Sequence, residues 1–229
     1  MKHYLILIAL FLSFIPVKAQ NSTDQLGAWY MYFYTTKFKD SQFGIQGDVQ
    51  YRNWNAIGDL EQLLVRSGVT YKPINTDMTL TLGVAHVITG TIGDSKQTAT
   101  ETRIYQEALL PQKVGTRMYF NHRFRYEQRF VEKQDFRTRF RYNLFLNIPL
   151  NKTTLSKNAV YIALYNEIFI NGEKNIGDGR TVNVFDRNRF YSGLGYGIND
   201  KLRLQLGFMN QSTEVAGKDQ IQFSLHHTF

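Results

Sequence analysis

Seven arginines fall at same-parity positions on two neighbouring segments: Arg117, Arg123, Arg125 and Arg129, then Arg137, Arg139 and Arg141. Guanidinium forks spaced like this can hold the carboxylate or phosphate groups of a ligand bidentately. They can equally line a pathway that favours anions, as rings of charge do in pores. A third arrangement pairs them with inward acids, for which Glu107, Glu127, Glu167 and Asp186 are the candidates, and closes the interior with salt bridges. Acid–base chemistry has its own candidates in His86, His122, His226 and His227 with Ser67, Ser192 or Ser224. A serine and a histidine near lipid are what a hydrolase or acyltransferase of this kind would use. No nucleophile elbow or other ordered catalytic motif surrounds them, so no catalytic residue is assigned. His226 and His227 are adjacent on one strand and point to opposite faces, so neither a metal site nor a cofactor is expected there.

The elements that must position these residues are strands. From Arg117 to Phe130, the residues Met118, Phe120, Phe124, Tyr126 and Phe130 share one parity, and Asn121, Glu127 and the arginines share the other. The next segment repeats the scheme, with Phe136, Phe140, Tyr142, Leu144 and Ile148 against Arg137, Arg139, Arg141 and Asn143. Similar alternation runs through Phe43–Arg52, where Gln46, Asp48, Gln50 and Arg52 share the polar face, and through 62–72, 78–88 and 202–211. Segments of about ten alternating residues are the pattern of a membrane-spanning barrel. An arginine facing lipid at the bilayer midplane costs about 2–4 kcal/mol, so in such a barrel the arginine face turns to the lumen. Turn chemistry separates the segments at 73–77, Pro111-Gln112-Lys113 and Asn199-Asp200. Gly193, Gly195 and Gly197 alternate within a strand, which suits making room for bulky lumen side chains such as the arginines opposite, rather than cradling phosphate.

Residues 1–20 read MKHYLILIALFLSFIPVKAQ, with charge at Lys2, an apolar run from Tyr4 to Ile15, and a small-residue end at Ala19. That is the plan of a secretory signal peptide cut after Ala19, with a barrel domain over 20–229. A retained anchor is the alternative, but the run falls short of the about 20 residues a spanning helix needs. Loss of Lys2 and Lys18 takes the 27 basic residues to 25 against 19 acidic. There is no cysteine, which excludes a disulfide scaffold and a lipidated N-terminal cysteine. Past residue 20 no apolar stretch is long enough to cross a membrane as a helix, so a spanning chain must close strands into a barrel. A soluble sandwich also alternates, but has no need of an export signal. The last strand, Asp219–Phe229, puts Ile221, Phe223, Leu225 and Phe229 on one parity. It resembles the terminal signal read by the outer-membrane assembly machinery, carried by Phe223, Leu225 and Phe229.

Alternation and turns give strands at about 25–35, 43–52, 60–72, 78–88, 101–110, 117–130, 136–148, 159–170, 185–198, 201–211 and 219–229. Bacterial single-chain barrels use even numbers, so an all-β, antiparallel up-and-down barrel of about twelve strands is expected, with ten as the fallback. Trp29, Tyr30, Trp54, Tyr196 and Phe229 are the expected aromatic girdles. Arg123-Phe124-Arg125-Tyr126-Glu127-Gln128-Arg129-Phe130, Phe136-Arg137-Thr138-Arg139-Phe140-Arg141-Tyr142, Tyr165-Asn166-Glu167-Ile168-Phe169, Phe185-Asp186-Arg187-Asn188-Arg189-Phe190-Tyr191, Gly193-Leu194-Gly195-Tyr196 and Leu206-Gly207-Phe208-Met209-Asn210-Gln211 resemble, in order, the outer-membrane family called domain of unknown function 2490. The resemblance implies a bacterial outer-membrane barrel and carries over no catalytic residue. The expected partners are outer-membrane lipid, lipopolysaccharide and the assembly machinery during biogenesis. Nucleic acid is not expected for an exported chain, and the oligomeric state stays open.

Overall fold

The structure, a computed structural model, describes residues 26–93 and 96–229, so the expected signal segment 1–19 lies outside the described residues. Eleven strands follow one another in chain order: β1 (Gly27–Lys37), β2 (Phe43–Asn53), β3 (Leu60–Tyr71), β4 (Thr79–Gly90), β5 (Thr98–Val114), β6 (Met118–Val131), β7 (Arg137–Pro149), β8 (Val160–Asn171), β9 (Phe185–Gly197), β10 (Leu202–Ser212) and β11 (Gly217–Thr228). Each pairs antiparallel with the next, and the sheet closes on itself. An up-and-down run of eleven leaves its first and last strands pointing the same way. The seam between β1 and β11 is accordingly parallel, from Gly27↔Gln220 to Thr35↔Thr228. The barrel is the one expected, with a strand count between the ten and twelve that even numbering suggests.

Two local readings change. The turn expected at Pro111 lies further on, at residues 115–117, where Gly115 has φ 61°. β5 runs straight through the proline because β4 begins at Thr79, opposite Leu109. Beyond that pair β5 is a free edge on the β4 side, where a missing N–H removes no ladder bond. Trp29, expected in a girdle, is 3% exposed and faces the lumen. Its strand, GAWYMYFYTTK, is apolar or aromatic on both parities. Alternation therefore carries no facing signal in β1, and register with β2 decides: Trp29 stands beside Arg52.

The barrel is inside out relative to a soluble protein. Leu82, Val84, Phe124, Phe140, Leu194 and Leu206 are each more than half exposed on the outer wall. The inward faces of β3, β5, β6, β7 and β8 bury Arg66, Arg103, Arg125, Glu127, Arg139 and Glu167. A smaller apolar cluster sits inside as well, on the arc formed by β8, β9, β10 and β1, and comprises Trp29, Met31, Tyr161, Ala163, Tyr191 and Met209. Glycines let these rings lie flat on the wall. A Cβ on Gly195 would overlap the Tyr161 ring, and one on Gly83 would overlap Tyr105. Gly193 and Gly195 on β9 thus make room for Tyr191 and Tyr161 rather than for arginines, and Gly197 lies against the Ser156 carbonyl. β4 and β8 end, and β5 and β9 begin, at the same end of the barrel.

Candidate functional site

Barrel register builds the lumen from rows of neighbours. Glu127 on β6 stands opposite Arg139 on β7, and Glu107 on β5 stands opposite Arg125 on β6. Asp48 on β2 faces Arg66 on β3, and Glu167 on β8 faces Arg189 on β9. In the first three couples this adjacency brings the side chains into direct ion pairs, whereas Arg189 bonds Gln211 instead of Glu167. The alternation places every one of these groups on the lumen side.

Each acid is shared. Glu127 accepts from Arg139 Nε at 2.9 Å and Nη2 at 2.6 Å, and from Arg141 Nη1 at 2.6 Å. Glu167 accepts from Arg141 Nη2 at 2.6 Å and Arg123 Nη2 at 2.7 Å. Glu101 takes forks from Arg103, at 2.7 Å twice, and from Arg129, at 2.5 and 3.0 Å. Glu107 accepts from Arg125 Nε at 2.6 Å and from Gln46 Nε2 at 2.8 Å. Asp186 bridges Arg139 at 2.8 Å and Arg187 at 3.0 Å. Bidentate, charge-assisted bonds of this kind fix side-chain geometry tightly. At the centre of the cluster, Phe169 is 1% exposed with Arg141, Arg189 and Arg139 at 4.4, 4.7 and 5.2 Å from its ring centre.

Of the seven arginines singled out in sequence, Arg123, Arg125, Arg129, Arg137, Arg139 and Arg141 line the lumen cavity. Arg117 does not. β6 begins at Met118, so Arg117 falls in the turn and donates to the carbonyls of Leu150 at 2.7 Å and Pro149 at 3.4 Å. Glu107 and Glu167 line the cavity as well, while Glu127 and Asp186 sit behind it in the ion-pair network. Five further arginines, Arg52, Arg66, Arg103, Arg187 and Arg189, complete the inner wall with Arg203 near the C-terminal end. Arg52 and Arg66 stood on polar faces in the alternation, but one per strand, which gave no ladder to notice.

The cavity between the charged arc and the aromatic arc has a volume of about 560 Å³. Its lining runs from Gln134 and Arg137 at one rim to Thr35 and Thr228 at the other, and includes twelve arginines against four carboxylates. Arg52, Arg137, Arg189 and Arg203 make no ion pair among the described residues; Arg52 donates to Gln50 and Gln62, and Arg189 to Gln211 at 2.8 Å. Uncompensated charge costs several kcal/mol to keep from water, so this wall is chemically suited to receiving an anion. Several polar atoms facing the same cavity have no hydrogen-bond partner among the described residues, among them Tyr191 Oη and Gln222 Nε2.

The histidines do not assemble with the serines. His122 meets Tyr142 Oη at 2.9 Å and Gln112 at 3.3 Å on the outer wall, and His86 meets Thr102 at 3.3 Å. His227 bonds Tyr32 at 3.0 Å outside, while His226 stacks on Phe33 inside, with ring centres 4.8 Å apart. Ser67 accepts from Tyr34, Ser192 is exposed on the outer wall, and Ser224 is buried facing the lumen. No grouping of three or more metal-ligating side chains occurs among the described residues. Of the aromatics expected in girdles, Tyr30 and Tyr196 are outward and bond the carbonyl of Ala56 and the amide of Asn158. Trp54 lies in the β2–β3 connection with Lys218 Nζ 3.9 Å from its ring centre. Phe223 and Leu225 share the outer face of β11, and Phe229, one residue past its end, lies against the His227 ring at 4.0 Å.

Comparison with known proteins gives one family model and one curated relative. The model described as "Protein of unknown function (DUF2490)" matches residues 26–222, which takes in all of β1 to β10. An uncharacterized protein of Methylorubrum extorquens is 32% identical over 186 residues, covering 76% of this chain and 77% of its own length. No solved structure matches the chain. With the family model spanning the barrel from its first strand into its last, this chain belongs to the DUF2490 family.

Proposed function

We propose that this chain is an integral outer-membrane β-barrel whose arginine-rich lumen takes up small anionic solutes. The observation that carries the reading is the charge imbalance around the cavity: twelve arginines line about 560 Å³ beside four carboxylates. Guanidinium groups without carboxylate partners favour anions in the lumen and repel cations of the same size.

The membrane part rests on the outer wall. Large apolar side chains exposed around the barrel, over an interior of ion pairs, are stable where the outside is hydrocarbon and unstable in water. An eleven-residue strand such as β1 rises about 28 Å at the usual barrel tilt, enough for the apolar band of an outer membrane. Lipid and lipopolysaccharide would then meet Phe124, Phe140 and their neighbours, and the assembly machinery would meet the chain during insertion. An export leader over residues 1–19 fits this route.

The lumen is narrow. Open aqueous channels need about 16–18 strands, so a barrel of eleven suits small solutes in contact with the wall rather than bulk flow. A closed, purely structural barrel is the second reading, favoured by the sharing of Glu101, Glu127 and Glu167 between arginines on different strands. Swelling of proteoliposomes in isotonic solutes separates the two. Entry of small anions faster than neutral or cationic solutes of equal size supports the anion pathway. A folded, heat-modifiable barrel that admits none of them is a closed one.

A further inference from the structure

The lumen wall is divided chemically, and the division has a sharp edge at Trp29. Register puts Arg52, Trp29 and Gln222 side by side on three adjacent strands, β2, β1 and β11. The guanidinium of Arg52 lies 3.8 Å from the indole centre, and that of Arg189, reaching in from β9, lies 4.7 Å from it. Among the described residues neither arginine makes an ion pair, and Gln222 Nε2 has no hydrogen-bond partner although its residue is 1% exposed. Its Oε1 is already committed to Tyr165 Oη at 3.0 Å, so the free donor has a fixed direction. Arg52 gives protons to Gln50 and Gln62, Arg189 gives its Nε proton to Gln211, and the indole N–H of Trp29 goes to Glu61 at 3.2 Å. The remaining Nη protons of the two arginines, with Gln222 Nε2, form a cradle beside the ring for two oxygens of a carboxylate.

From that point the same wall turns apolar. Met31 and Phe33 follow Trp29 on the inward parity of β1, and Tyr165 and Tyr191 stack with 4.9 Å between ring centres on the neighbouring arc. All four line the same cavity. A free inorganic anion would use the arginine end and leave the aromatic end solvated to no purpose. A neutral apolar molecule would use the aromatic end and leave two buried cations uncompensated.

We infer that the lumen binds an amphipathic organic anion, a carboxylate on an aromatic or acyl body. Its charged group sits among Arg52, Arg189 and Gln222, and its apolar body runs along Met31, Phe33 and Tyr165. This rests on the proposed anion-accepting lumen and narrows it to one solute class. Cavities of this volume fit molecules of small organic size.

The test uses the refolded full barrel in detergent, with Trp54→Phe so that Trp29 is the sole tryptophan reporter. Calorimetric titration and Trp29 emission are followed with 4-phenylbutyrate, with its neutral counterpart 4-phenylbutanol, and with inorganic phosphate. The expected result is that 4-phenylbutyrate binds about tenfold or more tightly than either of the others and perturbs Trp29 emission. Arg52→Gln with Arg189→Gln should remove that preference, and Phe33→Ser should weaken 4-phenylbutyrate while leaving phosphate unchanged. Retained heat-modifiability shows that each variant folds. Equal binding of phosphate and 4-phenylbutyrate overturns the amphipathic class and leaves an anion-accepting lumen intact. Equal binding of 4-phenylbutanol overturns the arginine cradle. Binding of none of the three overturns both this inference and the reading it rests on.

Discussion

Arg189 lies over the indole of Trp29, its guanidinium carbon 4.7 Å from the ring centre, and its hydrogen bond goes to the amide of Gln211 rather than to a carboxylate. The two residues sit on β9 and β1, with β10 and β11 between them, so the contact crosses a sector of the lumen. A cation–π contact offsets part of the cost of burying the charge, and among the described residues no carboxylate pairs with it to offset the remainder.

That imbalance predicts an unusual sign. Arg189→Met should leave the barrel as stable as the parent or more so, by about 1–4 kcal/mol, because it removes a buried unpaired cation while keeping most of the volume. Urea unfolding of the protein in lipid vesicles measures this. A large loss of stability would mean that Arg189 has a partner that its geometry does not reveal.

Glu127 should behave in the opposite way. It is 1% exposed and accepts from both Arg139 and Arg141. Glu127→Gln strips the charge from the centre of the network and leaves two guanidinium groups facing each other, a cost of about 3–5 kcal/mol for a broken buried pair. The same unfolding assay should show the midpoint falling sharply.

The tyrosine-on-glycine joints predict a rescue. Gly83→Val should block folding because its Cβ meets the Tyr105 ring. Tyr105→Ala removes the ring contact but not the one with the Ser67 carbonyl at 2.6 Å, so it should restore part of the folded, heat-modifiable population in the Gly83→Val background. Failure of the double variant to fold would show that Gly83 serves the strand rather than the ring.

Much of this was readable in the sequence because β6 and β7 alternate cleanly. Arg125 and Phe124 could be assigned to opposite walls before any coordinates, and Glu107, Glu127 and Glu167 could be assigned as inward acids. What alternation could not convey was pairing across the barrel. Arg52 and Arg189 are far apart in sequence and meet only because closure sets β1 against β11 and brings β9 round to Trp29. β1 itself gave no facing signal, since both of its parities are apolar or aromatic, and this is why Trp29 reads as a girdle residue. Arg117 has the parity of a lumen residue but falls in the turn, because strand ends are set by the Gly115 turn and not by periodicity.

The membrane reading makes its own demand on the outer wall. Val84 is 58% exposed near the middle of β4. Val84→Arg should destabilise the vesicle-embedded barrel by about 2–4 kcal/mol, whereas the same change in water would cost little. A neutral effect in vesicles would place Val84 away from hydrocarbon.

The most direct measurement is the reversal potential of single barrels in a planar bilayer under a potassium chloride gradient, for the parent and for Arg52→Gln with Arg189→Gln. An arginine-dominated lumen predicts chloride preference in the parent, and a reversal potential that moves toward zero in the double variant. Cation preference, or a chloride preference that the double variant leaves unchanged, would contradict it.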